Sequence, residues 1–540
     1  MKRLYIAVLT LAAVLPVTAQ DTYESARLLG SDLNGTARYV GMGGAMEALG
    51  ADISTISTNP AGIGLFRHST ASVSFGLVSQ SDVEKFDDLG KMNMSFDQAG
   101  FVYSSKVSRK SFVNVGFNYH KSRNFDQLLA AANSLSHASV NGLSYHKSEK
   151  EDVRKGGFYW DVNNNGDVIG YEDAKSPNRA QTFSQMDYIN FNALNADIDE
   201  DQNLWMGYNE ADYYLFNRAH RGWISEFDVN VSGNQSDRFY WGVTLGIHDV
   251  RYKGYSVYTE RLTNINNSNT GYDGVEDYVD YMDDRKIEGT GIDIKAGVIF
   301  RPIEESAFRV GLSVSTPTWY ELTTTNDTYF NNDSEYGLED AWASSESYDF
   351  RYFTPWKFGA SIGHTIGNNI AFGLSYELAD YSTSVNRILS GETNSNGYER
   401  SYTDHDMKYN TKSSLKAVSL LKAGIEYKPD PTLAVRFGYN YQSSAYEKNG
   451  VRDMKLDSPG VAYSSTTDYV NWGDTHRVTC GVGYKVGGMN IDLAYQYNMT
   501  KGDFHPFQPY AGYSSIGMNT GVKEVKFNRH QLLLTVGYTF

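Results

Sequence analysis

The chain has 540 residues and a formal net charge of −16, with 48 Lys and Arg against 64 Asp and Glu. An acidic chain without a basic run excludes nucleic acid as the expected partner, because phosphate contacts need clustered Lys and Arg. A single cysteine, Cys480, excludes an internal disulfide framework. Aromatic residues make up 14% of the chain and alternate with polar ones, which predicts strands with one wet face.

The first twenty residues have the features of an export signal. Lys2 and Arg3 form a charged start, Leu4 to Val17 form an apolar stretch, and small residues end at Ala19. We predict a signal peptide over residues 1–20. Since no run of eighteen apolar residues follows, the exported chain is predicted to be either soluble in the next compartment or a barrel in the outer membrane.

Residues 21–68 lack the alternation of a strand. Thr22 is predicted to cap a short helix that runs through Leu29 and is closed by Gly30. A run rich in small residues follows, from Gly35 to Gly62. We predict a small, partly helical N-terminal plug, because the lumen of a fourteen-strand barrel is too wide for side chains alone to fill.

From residue 69 to residue 540, apolar and polar residues alternate in segment after segment. Glu226 and Asp228 alternate with apolar neighbours, and such carboxylates must face a lumen because they cannot face lipid. The final strand has an apolar face that ends in an aromatic residue: Leu532, Leu534, Val536, Tyr538 and Phe540. We count fourteen strands, beginning near residues 69, 98, 111, 222, 238, 289, 307, 352, 369, 412, 432, 473, 489 and 526.

The connections alternate between short turns and long loops, which is the layout of outer-membrane barrels. The largest long connection is predicted over 121–221, and the long loops are expected to be extracellular. The sequence therefore predicts an all-β fold, a transmembrane antiparallel β-barrel of about fourteen strands over residues 69–540. The alternative is a periplasmic β-sandwich, which would show shorter strands and evenly short loops.

One stretch of the plug resembles a known family. The run Met42-Gly43-Gly44-Ala45, followed by Gly50-Ala51-Asp52 and by Asn59-Pro60-Ala61-Gly62, is similar to that of the FadL/TodX outer-membrane transporters of hydrophobic compounds (OMPP1/FadL/TodX). Ser315 to Tyr320 and the closing Gly537 to Phe540 reinforce the resemblance, which covers nearly the whole chain.

The resemblance implies a monomeric barrel in the outer membrane of a Gram-negative bacterium, closed by an N-terminal hatch. Its expected partners are outer-membrane lipid, the barrel-assembly machinery and a small hydrophobic ligand. The ligand would be captured by the outer loops and leave sideways beside an inward kink in the third strand, where Gly116 permits a kink. The implied gate consists of that glycine and the end of the plug: Asn59, Pro60, Ala61 and Gly62. The alternative is that Asn59-Pro60 is only a turn that enters the first strand.

A twelve-residue segment in the largest loop fits the template of a calcium-binding loop. Oxygen ligands would come from Asp161, Asn163, Asn165, Asp167 and Glu172. We predict Ca²⁺ there and expect no other cofactor to be required. The alternative is a polar surface turn rich in Asn and Gly.

The sequence selects no catalytic constellation, so the chain is not expected to be an enzyme. His248 and His364 are expected to form hydrogen bonds in the lumen, and Cys480 lies on the lipid phase of the twelfth strand. The predicted function is passive uptake of small hydrophobic compounds, either fatty-acid-like or aromatic. The alternatives are a shuttle or partner for secreted proteins on the same barrel, a receptor for a haem-type ligand, and an outer-membrane hydrolase.

Overall fold

In the computed structural model the described residues are 20–81, 83–148, 158–162, 168–173, 183–198, 204–263, 277–332, 342–456, 458–510 and 517–540. Within these ranges, fourteen antiparallel strands form a closed ring. Each strand pairs with its neighbour in chain order, and the first pairs with the last, with Thr70 opposite Thr539. The predicted fourteen-strand antiparallel barrel is confirmed. The predicted signal peptide lies outside the described residues except for Gln20.

Ten barrel strands are uninterrupted and four consist of two segments. The uninterrupted strands are β1 (Thr70–Gln80), β2 (Met92–Ser108), β4 (Glu210–Gln235), β5 (Phe239–Thr263), β6 (Asp277–Phe300), β10 (Ala417–Tyr427), β11 (Leu433–Gln442), β12 (Tyr469–Val486), β13 (Met489–His505) and β14 (Lys523–Thr539). The interrupted strands are β3 (Ser111–Asn124 and Gln127–Ala138), β7 (Arg309–Ser315 and Trp319–Asn332), β8 (Trp342–Phe353 and Lys357–Ile366) and β9 (Ile370–Asp380 and Val385–Thr393).

The helices lie in the plug and in the long loops. The plug contains α1 (Thr22–Ala26), α2 (Ala37–Gly41) and two 3₁₀ helices, Ile53–Ser57 and Pro60–Leu65. The loops contain α3 (Val140–Ser148), α4 (Gln185–Asn190), α5 (His405–Ser414), α6 (Pro459–Ala462), a π-helical turn (Phe191–Asn195) and a 3₁₀ helix (Tyr381–Thr383). Short extra strands pair as Phe158–Val162 with Val168–Asp173 and Ala196–Ile198 with Leu204–Met206, and Glu399–Thr403 pairs with the end of β9. None of the helices in the described ranges is long and apolar enough to cross a bilayer.

The outer surface of the barrel carries an apolar band. Along β5 the exposed residues are apolar from Phe239 to Ile247 and polar from Arg251 onward, while the intervening residues are buried. The neighbouring β6 has the same band, with exposed apolar side chains from Ile292 to Phe300. A closed ring leaves no unpaired edge in hydrocarbon, and an outward apolar band supplies the lipid contact. The chain is therefore a transmembrane β-barrel of the outer-membrane type.

The strands on one side extend well beyond the bilayer. Strand β4 has 26 residues and β5 has 25, whereas about 9–11 tilted residues suffice to cross a membrane. The predicted boundaries of the largest loop, 121–221, are therefore wrong: β3 continues to Ala138 and β4 begins at Glu210. The physical reason is that strand segments outside the bilayer no longer need an apolar outer face, so their sequence reads as a loop.

The plug begins with a well-capped helix. Asp21, rather than the predicted Thr22, caps α1, because its Oδ1 accepts hydrogen bonds from the main-chain N–H groups of Tyr23 (2.8 Å) and Glu24 (3.0 Å). The helix ends at Ala26, earlier than predicted, and Gly30 follows in a left-handed conformation with φ 75°. The Cβ of any other residue at Gly30 would lie 2.6 Å from Tyr381 Oη.

Glycines on the inner wall let the plug approach the barrel closely. A Cβ at Gly424 would lie 2.2 Å from Met42 O, and one at Gly438 would lie 2.1 Å from Gly43 N. Plug atoms lie within van der Waals distance of further wall glycines on consecutive strands, at Gly100, Gly116, Gly233, Gly242, Gly297, Gly311, Gly363, Gly373 and Gly481. This inner belt of glycines, from β2 to β12, receives the plug near the end of the barrel that carries the short turns.

Ion pairs attach the plug to the wall as well. Glu47 Oε1 accepts from Lys422 Nζ at 2.6 Å, and Arg452 donates to Asp21 Oδ2 at 2.6 Å. Arg38 donates to Glu426 Oε2 at 3.1 Å. Burial alone would lower the pKa of Arg38, but the carboxylates of Glu426 and Asp52 raise this pKa above its ordinary value. Because these charges are largely buried, removing one partner would leave the other uncompensated. The plug is therefore bound along most of its length.

Candidate functional site

A cavity lies between the plug and the barrel wall. Its apolar lining comes from both parts of the chain. The plug contributes Leu28, Leu29 and Leu33, and the wall contributes Ile224, Tyr320 and Leu420. Neither part alone encloses this space.

The same cavity has a charged side. Lys357, Lys422 and Arg477 line it, together with a group of carboxylates and imidazoles on β3 to β6. Lys422 is neutralised by Glu47, whereas Arg477 donates to the amide oxygens of Asn440 (2.7 Å) and Gln442 (3.2 Å). An apolar surface beside a cation that is bonded to neutral amides suits an amphipathic anion better than a pure hydrocarbon.

The barrel wall is incomplete between β2 and β3. Their ladder runs from the turn at Ser108 and Ser111 up to the pair formed by Gln98 and His120, and it ends there. Beyond that pair, Met92–Phe96 of β2 pairs in a strand ladder only with β1, and Lys121–Asn124 of β3 pairs in a ladder only with β4. We call this gap in the described main-chain ladder the β2–β3 window.

Side chains bridge the window where main-chain bonds do not. Lys121 Nζ donates to Ser95 Oγ at 3.1 Å. Above the window, the Gln80 side chain forms two 2.8 Å hydrogen bonds with the main chain of Leu128. These bonds close the upper border, so the window is bounded on all four sides by described residues.

The plug takes the place of the missing strand partner. The main-chain N–H of Asp32 donates to Ser122 O at 2.8 Å, and Asn124 N–H donates to Asp32 Oδ2 at 2.9 Å. The Asn34 amide donates to Lys121 O and to Asp97 Oδ1, both at 3.0 Å. Asp32 and Asn34 also line the cavity, so the window is the thin part of the wall between the cavity and the outside.

Charge holds Asp32 in this position. Its Oδ2 lies 3.2 Å from Arg529 Nη2, and its Oδ1 lies 4.0 Å from Arg123 Nη1. Burial by itself would raise the pKa of Asp32, but Arg529 and Arg123 lower it to about 2. Asp32 is therefore an anion at neutral pH, and it binds plug and wall together.

An aromatic row marks the outer sill of the window. Phe96 on β2 packs against Phe75 on β1, with ring centroids 5.5 Å apart, and stacks on Tyr119 on β3 at 5.4 Å. Tyr119 contacts Phe227 on β4 at 5.1 Å. Phe75, Phe96 and Phe227 are exposed on the outer face, and on β2 the exposed apolar surface continues beyond Phe96 through Met94 and Met92. The window thus opens beside apolar outer surface.

The residues predicted to form the gate lie elsewhere on the wall. Asn59 and Pro60 begin a 3₁₀ helix and pack against the glycines of β5, β6 and β7, with Asn59 Oδ1 accepting from Ala61 N at 3.2 Å. Ala61 is fully buried, and Gly62 N–H donates to Asn59 O at 2.9 Å. Gly116 faces the same 3₁₀ helix from β3, because a Cβ there would lie 3.6 Å from Ile63 Cγ2. The gate at these residues stays a prediction.

The predicted kink at Gly116 is absent from the described part of β3. Gly116 pairs with Val102 on one side and with Asn230 on the other, inside an unbroken ladder. Its function in the fold is close packing, because a Cβ there would lie 3.3 Å from Ile56 Cδ1 of the plug. The interruption of β3 falls instead at Phe125 and Asp126.

The predicted calcium loop is only partly within the described residues. Asp161 and Glu172 lie on the two arms of a hairpin, where Asp161 is opposite Gly170 and Glu172 is opposite Tyr159. Asn163, Asn165 and Asp167 lie outside the described residues. The calcium site stays a prediction.

A short motif in β8 has the spacing of a serine hydrolase. The segment Gly359-Ala360-Ser361-Ile362-Gly363 fits the pattern G-x-S-x-G. In serine hydrolases with this pattern, a sharp turn between a strand and a helix exposes the nucleophilic serine. Here the segment is straight strand, paired with β7 on one side and β9 on the other. The motif therefore does not present a nucleophile, and the expectation that the chain is not an enzyme stays a prediction.

Sequence reasoning missed two groups of residues. It did not single out Asp32 and Asn34, which have no motif and gain their function only by contact with β3. It placed His248 and His364 in the lumen, which is confirmed for His248 and wrong for His364, because His364 lies opposite the exposed Phe372 on the outer face. It did not connect His248 with His120 or Glu226. The alternation pattern assigns these three residues to the lumen-facing side of three consecutive strands. That shared side was the signal that could have predicted their contact.

Fold and site define a class: an integral outer-membrane β-barrel with a lumenal plug, an internal cavity and a gap in one ladder. No family model and no curated protein matches the chain. Among solved structures, the chain is similar to the toluene transporter TbuX of Ralstonia pickettii, at 11% identity and a TM-score of 0.46, over 94% of this chain and 99% of that one. It is also similar to a FadL homologue of Pseudomonas aeruginosa, at 11% identity and a TM-score of 0.46, over 97% and 99%.

A toluene transporter of Pseudomonas putida, TodX, matches at 9% identity and a TM-score of 0.44, over 94% of this chain and 98% of that one. The protease OmpT of Escherichia coli matches at a TM-score of 0.23, over 61% and 87%. The assignment of this chain to the transmembrane barrels rests on its own strand ladders and outer surface.

Proposed function

We propose that the protein takes up small hydrophobic compounds passively across the outer membrane and releases them sideways through the β2–β3 window. The observation that carries this proposal is the continuity between the internal cavity and the window, because Asp32, Asn34 and His120 belong to both. No energy source is needed when a ligand moves from water through an apolar pocket into lipid.

A lateral exit is favoured by the way the plug is held. The glycine belt and the ion pairs bind the plug along the wall from β2 to β12. Releasing a path along the barrel axis would break many of these contacts at once. Opening the window breaks only side-chain bonds such as Lys121 to Ser95, together with the few bonds from Asp32 and Asn34.

The cavity also indicates a substrate class. Leu28, Leu33 and Ile224 supply apolar surface, while Arg477 supplies a cation bonded to neutral amides. A compound with an apolar body and a single carboxylate satisfies both, so the proposal favours fatty-acid-like ligands over aromatic hydrocarbons. Charge-assisted hydrogen bonds to a carboxylate are about twice as strong as neutral ones.

The extracellular end has its own apolar cluster. Leu143 on α3, Ile189 on α4, Phe504 near the end of β13 and Phe507 just after it are buried together at the mouth. A hydrophobic compound arriving from water would meet this cluster first and displace part of it. The cluster is therefore the proposed point of capture.

We also propose that the protein is a monomer and that the barrel-assembly machinery inserts it into the outer membrane. A closed ring needs no second chain to complete its wall, since β1 pairs with β14 from Thr70 to Gln80, along the whole length of β1. The C-terminal strand ends in Tyr538 and Phe540, both exposed on the outer face. The shuttle for secreted proteins remains an alternative use of the same barrel.

The test is a reversible lock across the window. In a Cys480→Ala background, Ser95→Cys and Lys121→Cys should be joined by a bis-methanethiosulfonate reagent, because a direct disulfide is too short to replace the Lys121 side chain that spans this gap. The cross-link should abolish uptake of a radiolabelled long-chain fatty acid into cells, and reduction should restore it. The matched control is Thr325→Cys with Ser347→Cys, whose hydroxyl groups lie 3.1 Å apart in the complete ladder between β7 and β8.

The control lock should leave uptake unchanged. Full uptake by cells whose window is cross-linked would overturn the lateral route. Absence of fatty-acid uptake by the unlocked protein, with toluene uptake intact, would overturn the preference for carboxylates, and absence of both would overturn the transport proposal itself.

A further inference from the structure

Three buried polar side chains on β4, β5 and β6 face the cavity together. Glu226 on β4 is directly opposite His248 on β5, and Asp293 Oδ2 on β6 lies 3.0 Å from His248 Nε2. Their exposed fractions are 4%, 5% and 4%, and all three line the cavity. No step of the proposed uptake uses them.

The hydrogen bonds of His248 determine which of its nitrogens carries the proton. Asp293 Oδ2 is a carboxylate oxygen that also accepts from Thr318 Oγ1 at 3.2 Å, so His248 Nε2 is the donor in the 3.0 Å bond. The other nitrogen of a neutral imidazole, Nδ1, is then an acceptor. His248 Nδ1 has no hydrogen-bond partner among the described residues, and it faces Glu226 Oε2 at 3.9 Å.

Two acceptors therefore face each other without a donor between them. The nearest N–H on the other side of Glu226 Oε2 belongs to His120 Nε2, at 3.6 Å, which is too far for a hydrogen bond. His120 Nε2 carries that proton because His120 Nδ1 accepts from the Asn118 amide at 3.3 Å. Since buried acceptors without a donor are costly, the space between Glu226 Oε2 and His248 Nδ1 suits a group that donates two N–H bonds.

The same side of the cavity has a surplus of negative charge. Glu226, Asp228 and Asp293 carry three negative charges, and the ion pairs of the described residues bring them one Lys or Arg, Lys295. Lys295 Nζ contacts Glu226 Oε1 and lies 2.9 Å from Asp293 Oδ1. Uncompensated buried charge is costly. An ammonium thus already binds this cluster on one side, and Glu226 Oε2 is left for a second one.

Apolar side chains adjoin the two acceptors. The Tyr320 ring packs edge-to-face against His248, with ring centroids 5.7 Å apart. Tyr320 shares a buried apolar cluster with Leu28, Leu29 and Ile224, and all four residues line the cavity. An alkyl chain therefore finds apolar contacts beside Glu226 and His248, and the aromatic ring adds attraction for a cation.

We propose that Glu226 Oε2 and His248 Nδ1 bind the ammonium group of an amphipathic amine whose apolar part lies in the cavity. One nitrogen can lie about 2.9 Å from both atoms, because they are 3.9 Å apart. Its charge compensates one of the two surplus negative charges. This inference rests on the proposed function, in which the cavity is the ligand site. It adds an ammonium pole to the carboxylate pole at Arg477, so the cavity accepts amphiphiles of either charge.

The test is calorimetry on the folded, full-length protein in a non-ionic detergent, after treatment with a chelator. The probes share one alkyl chain: hexylamine, hexyltrimethylammonium, hexanol and hexanoate. Hexylamine is an ammonium at neutral pH, like a lysine side chain. It should bind at least about tenfold more tightly than hexanol, because hydrogen bonds to charged groups are stronger than neutral ones. Hexyltrimethylammonium has the charge but no N–H, so it should bind at least about tenfold more weakly than hexylamine.

Two variants should have opposite effects. Glu226→Gln should weaken hexylamine binding by at least about tenfold and leave hexanol unchanged, since the amide keeps the shape and loses the charge. Arg477→Gln should weaken hexanoate and leave hexylamine unchanged. The control is His220→Gln, because His220 is equally buried on β4 but packs against Tyr252, outside the described lining of the cavity.

Folding of every variant is checked by the heat-dependent shift of the barrel in gel electrophoresis. Hexylamine that binds folded wild-type protein no more tightly than hexanol would overturn the inference and assign the missing donor to a second proton on His248. Hexylamine affinity that survives Glu226→Gln, or that falls equally in His220→Gln, would also overturn it.

If Glu226→Gln does not fold, the comparison of hexylamine with hexyltrimethylammonium on wild-type protein decides, because equal affinities would overturn the inference. Hexanoate binding without a preference for hexylamine over hexanol overturns this inference alone and leaves the proposed uptake intact. Absence of binding by all the probes contradicts the cavity as the ligand site, and with it both proposals.

Discussion

Lys121 Nζ donates a 3.1 Å hydrogen bond to Ser95 Oγ across the point where the ladder between β2 and β3 has ended. It is a side-chain bond in a wall that is otherwise held by main-chain ladders. Main-chain ladders are cooperative along their length, whereas an isolated side-chain bond contributes a net of only about 0.5–1.5 kcal/mol. A weak part of the wall therefore lies beside the cavity.

Asn34 is predicted to hold the window closed. Asn34→Ala removes its hydrogen bonds to Asp97 and to the main chain of Lys121. At about 1 kcal/mol for the lost bonds, the open state should be populated about fivefold more. The initial rate of fatty-acid uptake should rise by a similar factor, and a cysteine at position 95 should react faster with a water-soluble thiol reagent.

The control for that variant is Asn394→Ala, a residue in an exposed loop. The comparison with Asn59→Ala separates the two gate hypotheses. If the plug end is the gate, Asn59→Ala should change uptake and Asn34→Ala should not. The window hypothesis predicts the reverse.

The glycine belt predicts that the plug cannot tolerate added side chains. Gly424→Ala places a Cβ 2.2 Å from Met42 O, so plug or wall must move. Overpacking of this kind costs about 1–3 kcal/mol. We expect faster proteolysis of the plug and a measurable ion conductance in planar bilayers. Gly537→Ala is the control, since a Cβ there meets nothing closer than 3.5 Å, and equal behaviour of the two variants would contradict the belt.

Asp32 is predicted to make stability depend on acid pH. Its pKa in the folded protein is lowered to about 2, from an unfolded value near 3.9. A depressed pKa means that the carboxylate stabilises the fold above the unfolded value, and that this contribution is lost as the pH falls toward the folded value.

Asp32→Asn should accordingly lower the free energy of unfolding by about 2 kcal/mol at neutral pH. The difference from wild type should shrink between about pH 4 and pH 2. Denaturant titrations of protein in lipid vesicles measure it, with the exposed Asp406→Asn as control. A difference that persists at pH 2 would show that the effect does not come from the charge.

The calcium loop yields a separate prediction. Asp161→Asn combined with Glu172→Gln should abolish binding of Ca²⁺ by calorimetry, because both ends of the loop lose a charged ligand. Asp406→Asn, which removes an exposed carboxylate outside the loop, should leave Ca²⁺ binding unchanged. If the wild-type protein releases no heat with Ca²⁺, the loop is a polar surface turn.

The number of strands was readable from the sequence because each spanning segment must satisfy lipid and lumen at once. Leu532, Leu534 and Val536 show that alternation at the last strand, and Glu226 and Asp228 show which phase is wet. Contact with lipid on one face and with the lumen on the other acts on each segment separately, so single segments reveal both constraints. The same locality explains the mistaken limits of the largest loop, since strand ends beyond the bilayer obey neither constraint.

The site was decided by tertiary structure. Asp32 and Asn34 belong to no recognisable sequence motif. They contribute to the site because they bind the edge of β3 at the point where β2 no longer pairs with β3. His120, Glu226 and His248 are far apart in the chain and meet only because the register of three strands aligns them. The sequence determined a plugged barrel, because burial and lipid exposure act residue by residue. Strand register and the position of the plug depend on contacts between distant parts of the chain. These contacts determine where the wall opens and which charged side chains lie next to each other.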